Sequence, residues 1–253
     1  MRAKIEIAFR RKVKIAWLDE GLAQAARKVK WKEAKPILTE EIAAENPGAE
    51  TIRKVLEHIR RIWFEPPDDS IALRSHALRL FDADRSREAR LLLNWGMAIV
   101  AYPFVGSVGE ALGRLLKLQN EANRSDVQRR LREQYGDRDF VDRIARYDVS
   151  SFLDWGVITE TKRGGVYIRG KQTRSTNAEQ LAWLAEAVLI SRDKTQMAFS
   201  ELCHHPILFP LTIESWNAAA LRSNPRLKLI RQNLSDEVIF RDTVTPCEVT
   251  AQH

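Results

Sequence analysis

Residues 155–170 read WGVITETKRGGVYIRG, and the change of period inside this stretch decides how the rest of the chain is taken. Beyond Gly156, Val157, Ile158 and Thr159 and then Val166, Tyr167 and Ile168 form two short β-prone runs around Lys162, Arg163, Gly164 and Gly165. Two such runs flanking paired glycines predict a β-hairpin, because glycine takes the positive φ that a tight turn needs. Upstream of Gly156 the apolar spacing is helical, and Gly156 stands where a helix C-cap is expected.

Working back from the hairpin, Asp137–Trp155 predicts a helix that buries Phe140, Val141, Ile144, Val149, Phe152 and Leu153 and turns Asp139, Asp142, Arg143, Arg146 and Ser150 outward. A shorter helix on Val127, Leu131 and Tyr135 precedes it, ended by Gly136. Ser125 and Gln128 have the spacing of a capping box, with Ser125 as N-cap. Before that, Val105, Val108, Leu112, Leu115 and Leu116 mark another helix, and the polar stretch Asn120–Arg124 separates the two. Three helices and a hairpin with a basic tip resemble the winged helix-turn-helix superfamily over residues 103–169. The resemblance implies a third helix laid in the DNA major groove and a wing on an adjacent groove or backbone. Arg129, Arg130 and Arg132, then Arg138, Arg143 and Arg146, and Lys162, Arg163, Arg169 and Lys171 are the candidate DNA contacts. The competing reading is a solvated, salt-bridged face, since Asp139, Asp142 and Asp148 offset part of this charge.

The charge distribution supports an anionic partner. The 253 residues carry 41 Lys and Arg against 34 Asp and Glu, a net +7, and the excess lies in two blocks, residues 1–32 and 124–174. The first supplies an N-terminal basic arm, Arg10, Arg11, Lys12 and Lys14 with Arg2 and Lys4, suited to sequence-independent phosphate contact or to an anionic membrane surface. Apolar content of 44% excludes a disordered tail, 11 Gly exclude a collagen-like fibre, and two Cys cannot staple a chain of this length. A reducing, cytoplasmic setting is expected, the more so because Lys4 and Glu6 interrupt any signal-peptide core.

The fold expected is mainly α: a helical N-terminal domain (1–102), a winged-helix domain (103–174), a second helical or winged-helix-like domain (175–241) and a tail (242–253). In the first, Trp17–Val29 is helical, Pro36 interrupts the next segment, Glu50–Phe64 forms one amphipathic helix stopped by Pro66 and Pro67, and Ile71–Phe81 forms another. Leu91–Gly109 has no charged residue and nearly the length of a membrane span. Pro103, Asn94 and three glycines identify it instead as a core helix ending near Tyr102, followed by a second helix. Gly106, Gly109 and Gly113 are read as close packing. In the last third, Asn177 caps a helix on Leu181, Leu184, Val188 and Leu189, Met197–Cys203 and Ile213–Leu221 are two more, and Arg226–Arg231 and Glu237–Arg241 flank a turn at Asn233–Asp236. That order matches the first unit without sequence similarity to it.

No P-loop, dinucleotide fingerprint, nucleophile elbow or zincin helix occurs, so no catalytic residue and no cofactor is expected. Cys203, His204 and His205 lack the spacing of metal ligands and are read as a helix end before Pro206, so no metal is expected. A Trp-containing N-terminal helix with Trp31, the paired prolines Pro66 and Pro67, and the corner Tyr102, Pro103 and Phe104 resemble the BrxA family of BREX phage-defence operons. That resemblance implies a nonenzymatic accessory role on double-stranded DNA within a larger protein assembly. A structural subunit that docks proteins through its winged helices, on the edge Val166, Tyr167 and Ile168, is the alternative.

Overall fold

The computed structural model describes residues 8–136, 139–213, 216, 218–231 and 237–242. Arg138, the turn at Asn233–Asp236 and the segment Thr243–His253 lie outside them.

The chain is mainly helical, with three small sheets. Its first part contains α1 (Ile15–Ala26), α2 (Trp31–Ala43), α3 (Ala49–Ile59), α4 (Ile71–Ala83) and α5 (Arg87–Ala101). Pro36 does not interrupt: it sits inside α2. One missing backbone donor near the helix start is outweighed by the buried stripe Ala34, Leu38 and Ile42. The expected single helix Glu50–Phe64 is α only as far as Ile59. Its last turn, Arg60–Phe64, widens to π geometry, and Trp63 within it donates its indole N–H to Asn94 at 3.0 Å. Ser86 caps α5 by accepting from the Ala89 amide.

Helix α5 ends at Tyr102, and α6 (Pro103–Gln119) leaves at 117° to it. Pro103 fits the first position of α6, where its missing N–H is not needed. Every residue from Leu91 to Gly109 except Pro103 is buried, so this uncharged run is the core expected of it. Among the described residues no single helix is long and apolar enough to cross a membrane. The small residues serve close packing, as expected: a Cβ on Gly113 would lie 2.0 Å from the Pro206 carbonyl oxygen, and one on Gly96 2.4 Å from the Trp183 ring.

Beyond α6 come β1 (Glu121–Asn123), α7 (Arg124–Tyr135), α8 (Asp139–Asp154), β2 (Ile158–Glu160) and β3 (Val166–Arg169). The strands form an antiparallel sheet in the order β1-β3-β2. The expected polar separator Asn120–Arg124 is thus the outer strand β1, entered from α6 through Asn120 at φ +58°. Because β1 runs straight into α7, Asn123 takes the N-cap position and exposed Ser125 lies inside the helix, so the capping box does not form. The hairpin does form, with Gly164 and Gly165 at φ +64° and +67°.

A similar element order then recurs, with one extra strand between the second and third helices. After β4 (Thr173–Ser175) come α9 (Ala178–Ser191), β5 (Gln196–Ala198), α10 (Phe199–Cys203), β6 (Leu211–Ile213), α11 (Ala218–Leu221), β7 (Leu227–Arg231) and β8 (Glu237–Arg241). Strands β5, β7 and β8 form an antiparallel sheet in the order β5-β8-β7, the first order over again, and β4 pairs in parallel with β6. Asn177 caps α9 as expected. The two helices after it are shorter than expected: Met197 belongs to β5 and Ile213 to β6, because backbone pairing captures the apolar residues that helical spacing had claimed. Four buried tryptophans pin distant segments together, each indole N–H satisfied. Besides Trp63, Trp95 donates to the Ile207 carbonyl (3.1 Å), Trp155 to Val13 (2.9 Å) and Trp183 to Leu73 (2.9 Å). The apolar core is continuous from Ala8 to Ile239.

Candidate nucleic-acid interface

Helix α8 is positioned by its apolar face. Val141, Ile144, Ala145, Val149 and Phe152 are buried, which turns Asp139, Arg143 and Arg146 to solvent. Arg143 and Arg146 have no acidic partner among the described residues, and the Arg143 guanidinium lies 5.5 Å from the centre of the Phe140 ring. Asp148 does not belong to the outward charge as expected. It is fully buried, neither carboxylate oxygen has a hydrogen-bond partner among the described residues, and desolvation pushes its pKa well above the usual carboxylate range. A carboxyl buried on the inner face lies away from the solvent face that carries the arginines.

The N-terminal basic segment is strapped onto α8. Ala8, Phe9 and Val13 are buried, the Val13 amide donates to Ser151 Oγ at 2.9 Å, and the Ile15 amide to Asp154 at 2.9 Å. At its start the Arg10 amide donates to His58 Nε2 at 3.1 Å. That bond leaves the proton of a neutral imidazole on Nδ1, which donates to the Tyr102 hydroxyl at 2.9 Å. Burial, reinforced by Lys54 and Arg10, lowers the His58 pKa to about 3 and keeps it neutral.

This strap brings Arg10 and Arg11 beside α8. With Lys54 of α3 and Arg143 they line a cleft of about 490 Å³ whose remaining walls are Phe140, Ile144 and Tyr147. No acid among the described residues lines it, and the Arg11 guanidinium lies 5.7 Å from the Tyr147 ring centre. Lys54 is partly offset by Glu57 at 3.5 Å, so the three guanidiniums on partly apolar walls concentrate the positive potential, and their forks match phosphate oxygens. On the other flank of α8, Arg124 stands near Arg146, and exposed Lys162 occupies the hairpin tip. The strip therefore runs from the N-terminal strap across α8 toward the hairpin.

Other expected contacts lie elsewhere or are already engaged. Arg129 is held between Asp126 (3.4 Å) and Glu133 (3.1 Å), and Arg132 donates to Asp142 at 3.2 Å. Arg130 is half-buried in a groove with Glu110, Arg114 and Glu133. Arg163 pairs with Glu121. Arg169 donates to the Phe209 carbonyl at 3.0 Å, and Lys171 lies 3.8 Å from Glu88 at the start of α5. In the strap itself Lys12 meets Asp154 at 3.1 Å and Lys14 meets Glu45, so these two cations are not those of a free arm. The docking edge considered for the alternative is not an edge: β3 is the central strand, Val166 and Tyr167 are buried, and only Ile168 is open.

Sequence reading missed Lys54, Arg124 and Tyr147. Tyr147 was within reach, four residues after Arg143 on one helix face. Lys54 gave no local signal, because only the packing of α3 and the strap brings it to α8. At the C-terminal side, His204 Nδ1 contacts the Ser200 carbonyl at 2.9 Å while His205 Nδ1 accepts from the Ile207 amide at 3.3 Å. The two rings thus serve local backbone at a helix end, as expected of them. Among the described residues no three His, Cys, Asp or Glu side chains gather as metal ligands. Comparison with known protein families, with curated proteins and with solved structures gives no match.

Proposed function

We propose that the chain is a nonenzymatic, double-stranded-DNA-binding protein built on two winged-helix units, of which the first faces the duplex. The observation that carries this reading is the outward strip of α8, Arg143 and Arg146, which has no acidic partner among the described residues, flanked by the cleft of Arg10, Arg11 and Lys54, which none of the described acids lines. In such a unit α7 and α8 form the helix-turn-helix, α8 enters the major groove, and the strand order β1-β3-β2 carries the hairpin as a wing. The strap cations then meet the flanking phosphates, adding affinity that does not depend on sequence. The residues that resemble the BrxA family, Trp31, Pro66, Pro67, Tyr102, Pro103 and Phe104, support an accessory or regulatory role in a phage-defence or other nucleic-acid assembly.

Fluorescence anisotropy on a random-sequence duplex across a salt series tests this. The wild type is expected to bind with an affinity that falls steeply with salt. Arg143→Ala with Arg146→Ala should flatten the dependence of log K on log salt by about two units, if both contact phosphates, with little change in melting temperature. Absence of duplex binding even at low salt would reject the reading. Unchanged binding with a lowered melting temperature would make the two arginines structural.

A further inference from the structure

We propose that the hollow between α7, α8 and the hairpin binds a small carboxylic acid with an apolar body, and that the bound acid competes with DNA for Arg146. The hollow has a volume of about 180 Å³, an apolar floor of Val127, Val149, Leu153 and Tyr167, and two guanidiniums, Arg124 and Arg146, among its lining. It lies below the roughly 300–1,000 Å³ of sites for drug-sized ligands, which limits the occupant to a small molecule.

The two arginines have different roles. Arg124 is positioned: its Nε donates to the Tyr167 hydroxyl at 3.1 Å, and its Nη2 lies 3.4 Å from Glu160. Arg146 is exposed and has no acidic partner among the described residues. With Glu160 cancelling one cation, the hollow retains one net positive charge over an apolar floor. A monoanion with an apolar body complements both, its carboxylate taking the Arg146 fork while its body displaces water from the floor. A bare phosphate leaves the floor wet, and a neutral apolar molecule leaves the guanidinium without an anion. Because Arg146 also belongs to the outward strip, one guanidinium cannot serve both an acid in the hollow and a duplex. The competition rests on the DNA-binding reading; occupancy of the hollow does not.

Calorimetric titration with sodium benzoate, with benzyl alcohol as the neutral control, tests the site. The expected result is saturable binding of benzoate in the millimolar range and much weaker binding of the alcohol. Arg146→Met, which keeps the side-chain stem, should weaken benzoate about tenfold through loss of the charged hydrogen bonds. Ser150→Phe, which adds bulk to the lining and keeps Arg146, should also weaken it. No saturable benzoate binding, or equal binding to wild type and both variants, overturns the site. Replacing chloride by benzoate at fixed ionic strength should then lower wild-type duplex affinity several-fold. If benzoate binds and duplex affinity does not change, the competition is overturned and the site stands. If no duplex binds in chloride, the DNA-binding reading fails while the calorimetry still decides the site.

Discussion

The two three-stranded units share a strand order but differ in what they do with charge. In the first, Arg143, Arg146 and Lys162 point to solvent with no acid against them among the described residues, whereas in the second Arg226, Lys194 and Lys228 each meet a carboxylate while the exposed Arg222 and Arg231 meet none of the described ones. Their buried acids differ as well. Glu186 of α9 receives both Nε and Nη2 of Arg226 at 2.7 Å and the Asn224 amide at 2.6 Å, while Asp148 of α8 has no partner among the described residues. The third helix is 16 residues long in the first unit and four in the second. One topology thus supports an exposed cationic helix in one place and a helix anchored by a buried, satisfied ion pair in the other, so function follows from the side chains each unit presents and not from the strand order.

The largest expected effect comes from breaking the paired unit. Arg226→Met leaves Glu186, whose side chain is only 3% exposed, without its cation. Removing one partner of a buried pair costs about 3–5 kcal/mol, because the remaining charge stays desolvated. Urea denaturation should show that loss in its midpoint, and below the transition the salt dependence of duplex binding should stay that of the wild type. The pair Arg143→Ala and Arg146→Ala is expected to do the reverse, which is the sharpest statement of the contrast between the units. A change in salt dependence on losing Arg226 would erase it.

The lone carboxyl gives a smaller effect of opposite sign. A buried unpartnered polar group costs about 1–3 kcal/mol, so Asp148→Leu, of similar size, should stabilise the protein by that order. The pH dependence comes from the direction of the shift. The folded state holds the Asp148 proton where the unfolded chain, with its ordinary value near 3.8, has lost it, so wild-type stability falls as pH rises above that value toward the raised folded one. The gain from leucine should therefore grow with pH in melting curves. Asp19, pushed up to about 6 by burial, adds a slope of the same sign between 3.8 and 6 in both proteins and so cancels from the difference. No gain at neutral pH would mean that Asp148 has a partner in solution.

Legibility in the sequence tracks the range of the interactions involved. The cap Asn177, the break at Tyr102 and Pro103, and the hairpin glycines are local, and each was readable because one or two residues determine the backbone there. The three-residue strands β1, β5 and β6 were not, since their hydrogen-bond partners lie tens of residues away and so short a run has no period. The candidate interface divides in the same way. Arg143 and Arg146 could be placed outward from α8 alone. Arg132 and Arg163 looked equally free in the sequence, but the fold sets an acid against each, whereas the partners of Arg129, Asp126 and Glu133, stand three and four residues away on its own helix and their spacing alone could have shown the pairing. Burial of Asp148 was hidden as well, because a charged letter in an amphipathic helix reads as surface.

The smallest expected effect concerns the hairpin tip. Lys162 and Arg163 are adjacent and both exposed, yet Arg163 is paired with Glu121 of β1 and Lys162 has no acidic partner among the described residues. Reversing both charges would set a second carboxylate against Glu121 in place of the Arg163 guanidinium and disturb the sheet, confusing loss of contact with loss of structure. Lys162→Glu alone avoids this, since the positive φ of Gly164 and Gly165 sets the turn and not the lysine. If the tip lies along a phosphate backbone, affinity should fall by a similar factor for every duplex sequence, and the slope of log K against log salt should flatten by about one unit. Binding equal to wild type at two salt concentrations would remove the hairpin from the interface and confine contact to α8 and the strap. The first unit would then differ from the second through one helix face alone.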